Sequence, residues 1–136
     1  MSDEHKPEPP DLDLIQMVQR GRMAHDAGAA PSQVSAVYWI ECKRAGEGKP
    51  PTARAGYWAI TTTLREIDAL WAAIKAATEA GQLGYKSKVA TASHSGDADE
   101  RRIHVMTYDA DDTGDVERVR AALAALNIPG EIEYHR

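Results

Sequence analysis

The sequence predicts an α+β fold in which helices pack on one face of a curved antiparallel sheet. Three observations support this prediction. Helical and extended patterns follow one another in the order α-β-β-α-β-β-α-β along the 136 residues. Three of the extended segments carry apolar residues at every second position, which is typical of strands with one buried face. Helices that separate pairs of strands favour antiparallel pairing with the helices on one side.

Length and composition indicate one domain behind a short tail. The N-terminal stretch "MSDEHKPEPPDLD" is charged and rich in proline, so residues 1–11 are predicted to be a disordered tail and residues 12–136 a single α+β domain. The tail lacks the apolar core of a signal peptide, and no apolar run approaches the about 20 residues of a membrane span. Cys42 is the only cysteine, so no internal disulfide forms. We expect a cytoplasmic protein that does not associate with membranes.

Five segments are predicted to be strands because β-branched and aromatic residues recur between turn-forming residues. They are "QVSAVYWIECK", "YWAITTT", "YKSKVATA", "RRIHVMTYD" and "EIEYH". The stretch between the first two, "RAGEGKPPTARAG", is turn-forming throughout. It predicts that these two strands form a hairpin.

Three helices are predicted from apolar residues at helical spacing. They cover residues 11–29, 64–80 and about 115–126. Thr62 or Thr63 is expected to cap the second helix, and Gly81 to end it. Thr113 or Asp112 is expected to cap the third.

Alternation assigns the strand residues to two faces. In "RRIHVMTYD", Ile103 and Val105 are predicted to face the helices, whereas Arg102, His104 and Met106 face away. The second face of the sheet therefore combines a cation, a histidine and an apolar side chain. On a curved sheet, such a face forms a pocket.

The same reasoning places two tryptophans and the cysteine in the core. Trp58 shares its strand face with Ile60, and Trp71 lies on the apolar stripe of a helix. Large rings in such company are usually packing residues. Cys42 falls on the buried side of its strand, so a reactive thiol is not expected.

Trp39 differs from the other tryptophans because its neighbours on the same face are Glu41 and Lys43. A ring beside a carboxylate and a cation suits a flat, charged ligand. The ring stacks on the ligand, the carboxylate accepts from its N–H groups, and the cation meets its anionic part. An edge-strand tryptophan that covers a loop is an equally good explanation.

His104 and Lys88 are candidates for acid–base chemistry, because both lie on the face that points away from the helices. A structural, hydrogen-bonded histidine is the alternative. No zinc-type spacing and no phosphate loop occur in the sequence, so neither a metal nor a cofactor is expected. The net charge of −5 argues against bulk nucleic-acid binding.

Several motifs resemble known families. "GYWAI" followed by "EIDALW", then "RRIHVMTYDADDTGDVERVRAALAALNIP" and "EIEYH", resemble the eukaryotic messenger-RNA cap-binding translation initiation factor. With "GQLGYKSKV" they are also similar to the basophilic-leukaemia-expressed proteins, which share that fold and some of whose bacterial members are named phosphothreonine lyase. The resemblance covers about residues 34–136 and implies a fold like that of the cap-binding factor.

The resemblance also implies roles for individual residues. Trp58 and Trp71 are similar to structural tryptophans of the cap-binding family, and Arg102 is similar to a residue that contacts ligand phosphates. Trp39 and Glu41 resemble its stacking tryptophan and glutamate, although here one residue separates them. A second stacking ring cannot be identified in the sequence, so cap recognition itself is not implied.

Three functions remain open on the sequence. The preferred hypothesis is a protein whose open concave sheet face binds a nucleotide or another phosphorylated anion. The second is a phosphoester lyase or hydrolase that uses Lys88 and His104 as base and acid, with Arg54 or Arg102 holding the phosphate. The third is a protein-interaction module on the alanine-rich helical face, which also suits a homodimer. The predicted ligand-binding residues are Trp39, Glu41, Lys43, Arg54, Lys88, Arg102 and His104.

Overall fold

A computed structural model describes residues 30–34, 39–91 and 96–136, and these form the predicted α+β architecture. All strands pair antiparallel in one sheet of order β1-β3-β4-β2-β5. The predicted tail and the predicted helix at 11–29 lie outside the described residues. The elements are a 3₁₀ turn (Pro31–Gln33), β1 (Trp39–Lys43), β2 (Gly56–Thr63), α1 (Ile67–Glu79), β3 (Lys86–Ala90), β4 (Glu100–Thr107), α2 (Thr113–Ala124) and β5 (Glu131–His135).

Strands β4 and β2, two of the three inner strands, carry the centre of the core. Ile103 and Val105 of β4 pair with Ile60 and Trp58 of β2, and all four side chains are buried. The apolar sides of both helices pack into the same cluster. The predicted division of β4 into a helix-facing side and an opposite side is confirmed, because burial alternates along the strand.

Trp58 and Trp71 are core residues, as predicted. The indole Nε1–H of Trp58 donates to the Val116 carbonyl at 3.1 Å, and its ring packs edge-on against Tyr134. This one side chain therefore joins β2 to both α2 and β5. Trp71 of α1 retains 2% of its exposure and lies in the same apolar cluster.

The predicted hairpin between β1 and β2 is wrong. β4 and β5 occupy both edges of β2, so β1 pairs with β3 instead. Residues 44–55, called here the crossing loop, pass over the ends of β3 and β4. The backbone N–H of Arg44 donates to the Tyr85 carbonyl, and that of Thr52 donates to the Tyr108 carbonyl. Turn-forming composition marks where a strand ends, but it does not specify the next strand's partner.

Helix α1 begins at Ile67 rather than at residue 64, because β2 continues to Thr63. Thr62 and Thr63 are engaged in pairing with β4, so the prediction that either caps the helix is wrong. The N-cap position is Glu66, whose side chain makes no capping hydrogen bond. Gly81 follows the end of the helix with a φ of +79°, a conformation that favours glycine.

Helix α2 begins at Thr113, and Asp112 is its N-cap, one of the two predicted candidates. The Asp112 carboxylate accepts a hydrogen bond from the backbone N–H of Asp115 at 3.1 Å. This contact satisfies one of the donors that the start of a helix leaves unpaired. In the described part of the chain, no helix has the length and apolar character needed to cross a membrane.

Replacing Ile103 with alanine is expected to lower the free energy of unfolding by about 2–5 kcal/mol, because the change removes buried apolar surface and leaves a cavity. The control is Leu64→Ala, which shortens a side chain that is 36% exposed. We expect this control to change stability by less than about 1 kcal/mol. Urea denaturation followed by fluorescence measures both, and equal losses would contradict the assignment of the buried face.

Candidate functional site

The face of the sheet opposite the helices, called here the open face, carries charged and aromatic side chains. Two register rows cross all five strands. One row contains Glu41, Lys88, His104, Ala59 and Glu133, and the other contains Lys43, Lys86, Met106, Tyr57 and His135. Apart from Ala59, these side chains are partly or fully exposed. The neighbours that point to the helices, such as Ile40 and Val89, are fully buried.

Four aromatic rings form a continuous row on the open face. Trp39 of β1 lies 4.7 Å from His104 of β4 between ring centroids, with the planes tilted by 42°. Tyr57 of β2 stacks on His104 at 4.2 Å and on His135 of β5 at 5.2 Å. Aromatic contacts of this kind favour a fixed orientation of each ring. The row therefore runs from one edge strand of the sheet to the other.

Lys88 links the ring row to the charged part of the open face. Its Nζ lies 4.5 Å from the centre of the Trp39 ring, a distance at which an ammonium is attracted to the face of an indole. Lys88 is also the direct cross-strand partner of both Glu41 and His104. A ligand that contacts Trp39 therefore meets a cation and an imidazole at the same place.

Arg102 lies on the open face one register row beyond His104. Its guanidinium is 3.7 Å from the Glu100 carboxylate, which is close enough for attraction but too long for a hydrogen bond. The Nε–H of Arg102 is buried without a hydrogen-bond partner among the described residues. The side chain is still 40% exposed, so its guanidinium is accessible to an anion.

The charge on the open face is unevenly distributed. Strands β1, β3 and β4 contribute four cations against two carboxylates, whereas β5 contributes only carboxylates besides His135. One of the carboxylates, Glu41, forms an ion pair with Lys86 at 3.2 Å. The positive half of the face is therefore the half that contains Trp39. The four cations are Lys43, Lys86, Lys88 and Arg102, and the carboxylates beside them are Glu41 and Glu100.

The structure brings together six of the seven predicted ligand-binding residues on the open face and leaves one elsewhere. Arg54 lies in the crossing loop, where its guanidinium donates to both oxygens of Asp109 and also pairs with Asp111. Arg54 holds the pKa of the Asp109 carboxyl at about 2. Because two carboxylates already balance its charge, we assign Arg54 a structural role. The six on the open face are Trp39, Glu41, Lys43, Lys88, Arg102 and His104.

Three residues that contribute a ring or a cation to the open face were not among the predicted site residues. Tyr57 and Lys86 alternate with buried residues of their strands, so they point to the open face. Alternation alone identifies them once the neighbouring core residues are known. His135 joins the ring row through its contact with Tyr57. This contact depends on the pairing of β5 with β2. That pairing is not readable from local sequence.

Cys42 lies on the helix-facing side of β1, as alternation predicts. It is 6% exposed, and burial together with the nearby Glu79 carboxylate raises the pKa of its thiol to about 11. The thiol is therefore protonated at neutral pH. No group of three or more histidine, cysteine, aspartate or glutamate side chains within residues 30–34, 39–91 and 96–136 is arranged to hold a metal ion.

These features define an α+β protein with an open five-stranded antiparallel sheet, helices on one face and a basic, aromatic opposite face. The chain belongs to the family described as basophilic leukemia-expressed protein Bles03, whose sequence profile matches residues 49–133. The predicted resemblance to that family is confirmed. The matched range includes Lys88, Arg102 and His104 and begins after β1, so Trp39 lies outside it. A search of curated proteins found no match to the chain.

Replacing Asp109 with asparagine is expected to change how stability depends on pH. The folded pKa of about 2 lies below the reference value of 3.8. The carboxylate therefore stabilises the fold above about pH 4, and this contribution is lost as the pH falls towards 2. Asp109→Asn removes this contribution, so we expect a smaller loss of stability between pH 4 and pH 2 than in the unaltered protein.

Thermal unfolding at a series of pH values measures the effect. Glu47→Gln, which removes an exposed carboxylate of the crossing loop, is the control and is expected to follow the unaltered protein. If Asp109→Asn also follows the unaltered protein, the ion pair with Arg54 does not contribute to stability.

Proposed function

We propose that the chain binds a nucleotide, or a similar ligand with a flat ring and a phosphate, on the open face. The observation that carries this proposal is the position of Lys88 Nζ, 4.5 Å from the ring centre of Trp39 and directly across from His104. A stacking surface and phosphate-binding cations are thereby adjacent. Recognition of an anion by several lysine and arginine side chains needs no metal ion.

Trp39 is the ring that is best placed to stack on a ligand. Tyr57 lies between His104 and His135, so other rings cover both of its faces. Trp39 stands at the end of the row, where its described contacts include His104 and the Lys88 ammonium. A base that stacks on Trp39 takes the place of this ammonium, which then pairs with the ligand's phosphate.

The remaining polar groups fit the two ends of such a ligand. Glu41 extends from the same face of β1 as Trp39, where its carboxylate accepts hydrogen bonds from a base N–H. Arg102 offers a planar guanidinium, which binds phosphate through two parallel hydrogen bonds. The carboxylates of β5 repel the phosphate, so its place is the half of the face formed by β1, β3 and β4.

A second candidate function is phosphoester cleavage by Lys88 and His104. The observation that favours it is their direct cross-strand pairing, which places an amine and an imidazole within reach of one bound group. In hydrolysis, one side chain takes a proton from the water that attacks phosphorus, and the other donates a proton to the oxygen that leaves as the old P–O bond breaks. In elimination, the proton is taken from the carbon next to the C–O bond that breaks, a C=C bond forms, and the phosphate leaves. Stacking against Tyr57 orients the plane of the His104 imidazole. A group that exchanges a proton with His104 must therefore approach the edge of the imidazole, where its nitrogens lie.

Titration with nucleotides is expected to quench the tryptophan fluorescence, because the base stacks on Trp39. Trp58 and Trp71 are buried and keep their environment, so the change is expected to come from Trp39. Trp39→Phe is expected to abolish the response. Lys88→Ala and Arg102→Ala should each weaken binding at least about tenfold, since a charge-assisted hydrogen bond contributes about 1.5–3 kcal/mol. Lys75→Ala, on the helical side and paired with Glu79, is the matched control and should leave affinity unchanged.

The panel contains ATP, GTP and AMP, with adenosine and inorganic pyrophosphate as the separate halves of the ligand. Absence of saturable quenching by every nucleotide, or equal weakening by Lys75→Ala and Lys88→Ala, would falsify the proposed site. Phosphorus NMR of the same mixtures detects cleavage. If the second function is correct, a product appears, and His104→Gln removes turnover while binding persists.

A further inference from the structure

A second concave region lies away from the open-face ligand site, where the crossing loop meets the start of β3 and the start of α2. It is a cavity of about 140 Å³. Three cations, Arg44, Lys49 and Arg118, contribute to its lining, together with Tyr85 and Tyr108. Arg44 and Lys49 are close in sequence, but only the fold brings them together with Arg118.

Arg44 is the cation with the most unused donors. Its Nη2 donates to the Lys49 carbonyl at 3.4 Å, and its Nε–H is buried without a partner among the described residues. A Cβ atom at position 48 would lie 2.3 Å from the Arg44 guanidinium carbon, so Gly48 allows the guanidinium to lie against the loop backbone. A buried N–H without an acceptor is unfavourable, so an anion that reached Arg44 Nε would relieve this cost.

Lys49 is the second cation with donors to spare. Its Nζ contacts the Tyr108 hydroxyl at 3.2 Å and lies 5.1 Å from the centre of that ring. The hydrogen bond with Tyr108 raises the pKa of Lys49, so the ammonium is charged at neutral pH. Tyr108 donates in turn to Asp112, which holds the hydroxyl in place. One of the three ammonium donors is used in these contacts.

Arg118 forms a fixed wall of the cavity. Its Nη2 donates to the Leu83 carbonyl and to the Asp115 carboxylate, both at 2.9 Å. The charges of Arg118 and Asp115 therefore balance. Arg44 and Lys49 then face a single further carboxylate, that of Asp112, which leaves an excess of one positive charge around the cavity.

The size of the cavity limits what it holds. A volume of 140 Å³ corresponds to about four or five water molecules, whereas pockets for whole organic ligands have about 300–1,000 Å³. The cavity is therefore too small to enclose a whole nucleotide, and a single small anionic group fits. Donors on Arg44 and Lys49 of the crossing loop suit a tetrahedral anion, which has oxygens on all sides.

We propose that this cavity is a second binding site, for an oxyanion of the phosphate class, with Arg44 and Lys49 as its binding residues. The shared chemistry is the phosphoryl group, whether free or at the end of a larger molecule. The site is independent of the ligand site on the open face, since none of its residues belongs to the ring row. Inorganic phosphate and ethyl phosphate distinguish the two sources.

Nitrogen–proton NMR of the full chain, titrated with inorganic phosphate at constant ionic strength, tests the proposal. We expect saturable shifts of the Arg44 Nε–H and of the backbone amides at residues 48 and 49. Acetate at the same concentrations should cause smaller shifts. Saturation by ethyl phosphate as well would identify a phosphoryl group of a larger molecule, and saturation by inorganic phosphate alone would identify the free ion.

Two variants and two controls complete the test. Arg44→Gln should abolish saturation, and Lys49→Gln should weaken affinity about tenfold, with the native spectrum showing that each variant folds. Arg120→Gln on the exposed side of α2 and Arg102→Gln on the open face should bind phosphate in the cavity unchanged. Unsaturable shifts, shifts confined to the open face, or full binding by both Arg44→Gln and Lys49→Gln would overturn the proposal.

Discussion

The alternation of β4 is the constraint on which the rest of the structure depends. Ile103 and Val105 are fully buried beneath the helices, so the residues that alternate with them point to the other side of the sheet. A shift of one residue in the pairing of β4 would expose both side chains and bury Arg102 and His104 in their place. The free energy of burying the apolar residues therefore fixes the position of the polar ones. The arrangement of the side chains on the open face is therefore a consequence of the packing of the core.

Local pattern predicted the parts of the fold that depend on local chemistry. The strand faces, the buried tryptophans and the Asp112 cap follow from side-chain period and hydrogen-bonding capacity within a few residues. The start of α1 could not be predicted in this way, because Thr62 and Thr63 are equally suitable for a helix cap and for the last pairs of a strand. Pairing with β4 decides between these alternatives, and that pairing joins segments about forty residues apart.

The path of the crossing loop explains why part of the candidate sites was predictable and part was not. The predicted hairpin would have placed β1 beside β2, and the order β1-β3-β4 instead places Trp39 within reach of Lys88 and His104. Alternation identified which side chains point away from the helices, but not which strands are neighbours in the sheet. The same long connection carries Arg44 and Lys49 over the ends of β3 and β4, where no pattern in the sequence indicates a cavity.

The ring row also bears on which ligands the open face would favour under the proposed binding mode. Contacts with His104 and Lys88 orient the Trp39 ring before a ligand arrives, which reduces the entropy cost of about 0.5–1.5 kcal/mol for fixing a side chain on binding. The lysine contact itself contributes about 0.5–1 kcal/mol at an exposed ring, and a stacked base must replace it. A base without phosphate leaves the displaced ammonium unpaired, and a phosphate without a base gains no stacking. Both parts together satisfy the indole and the cations at once, so the geometry favours a ligand that joins a flat ring to a phosphate over either part alone.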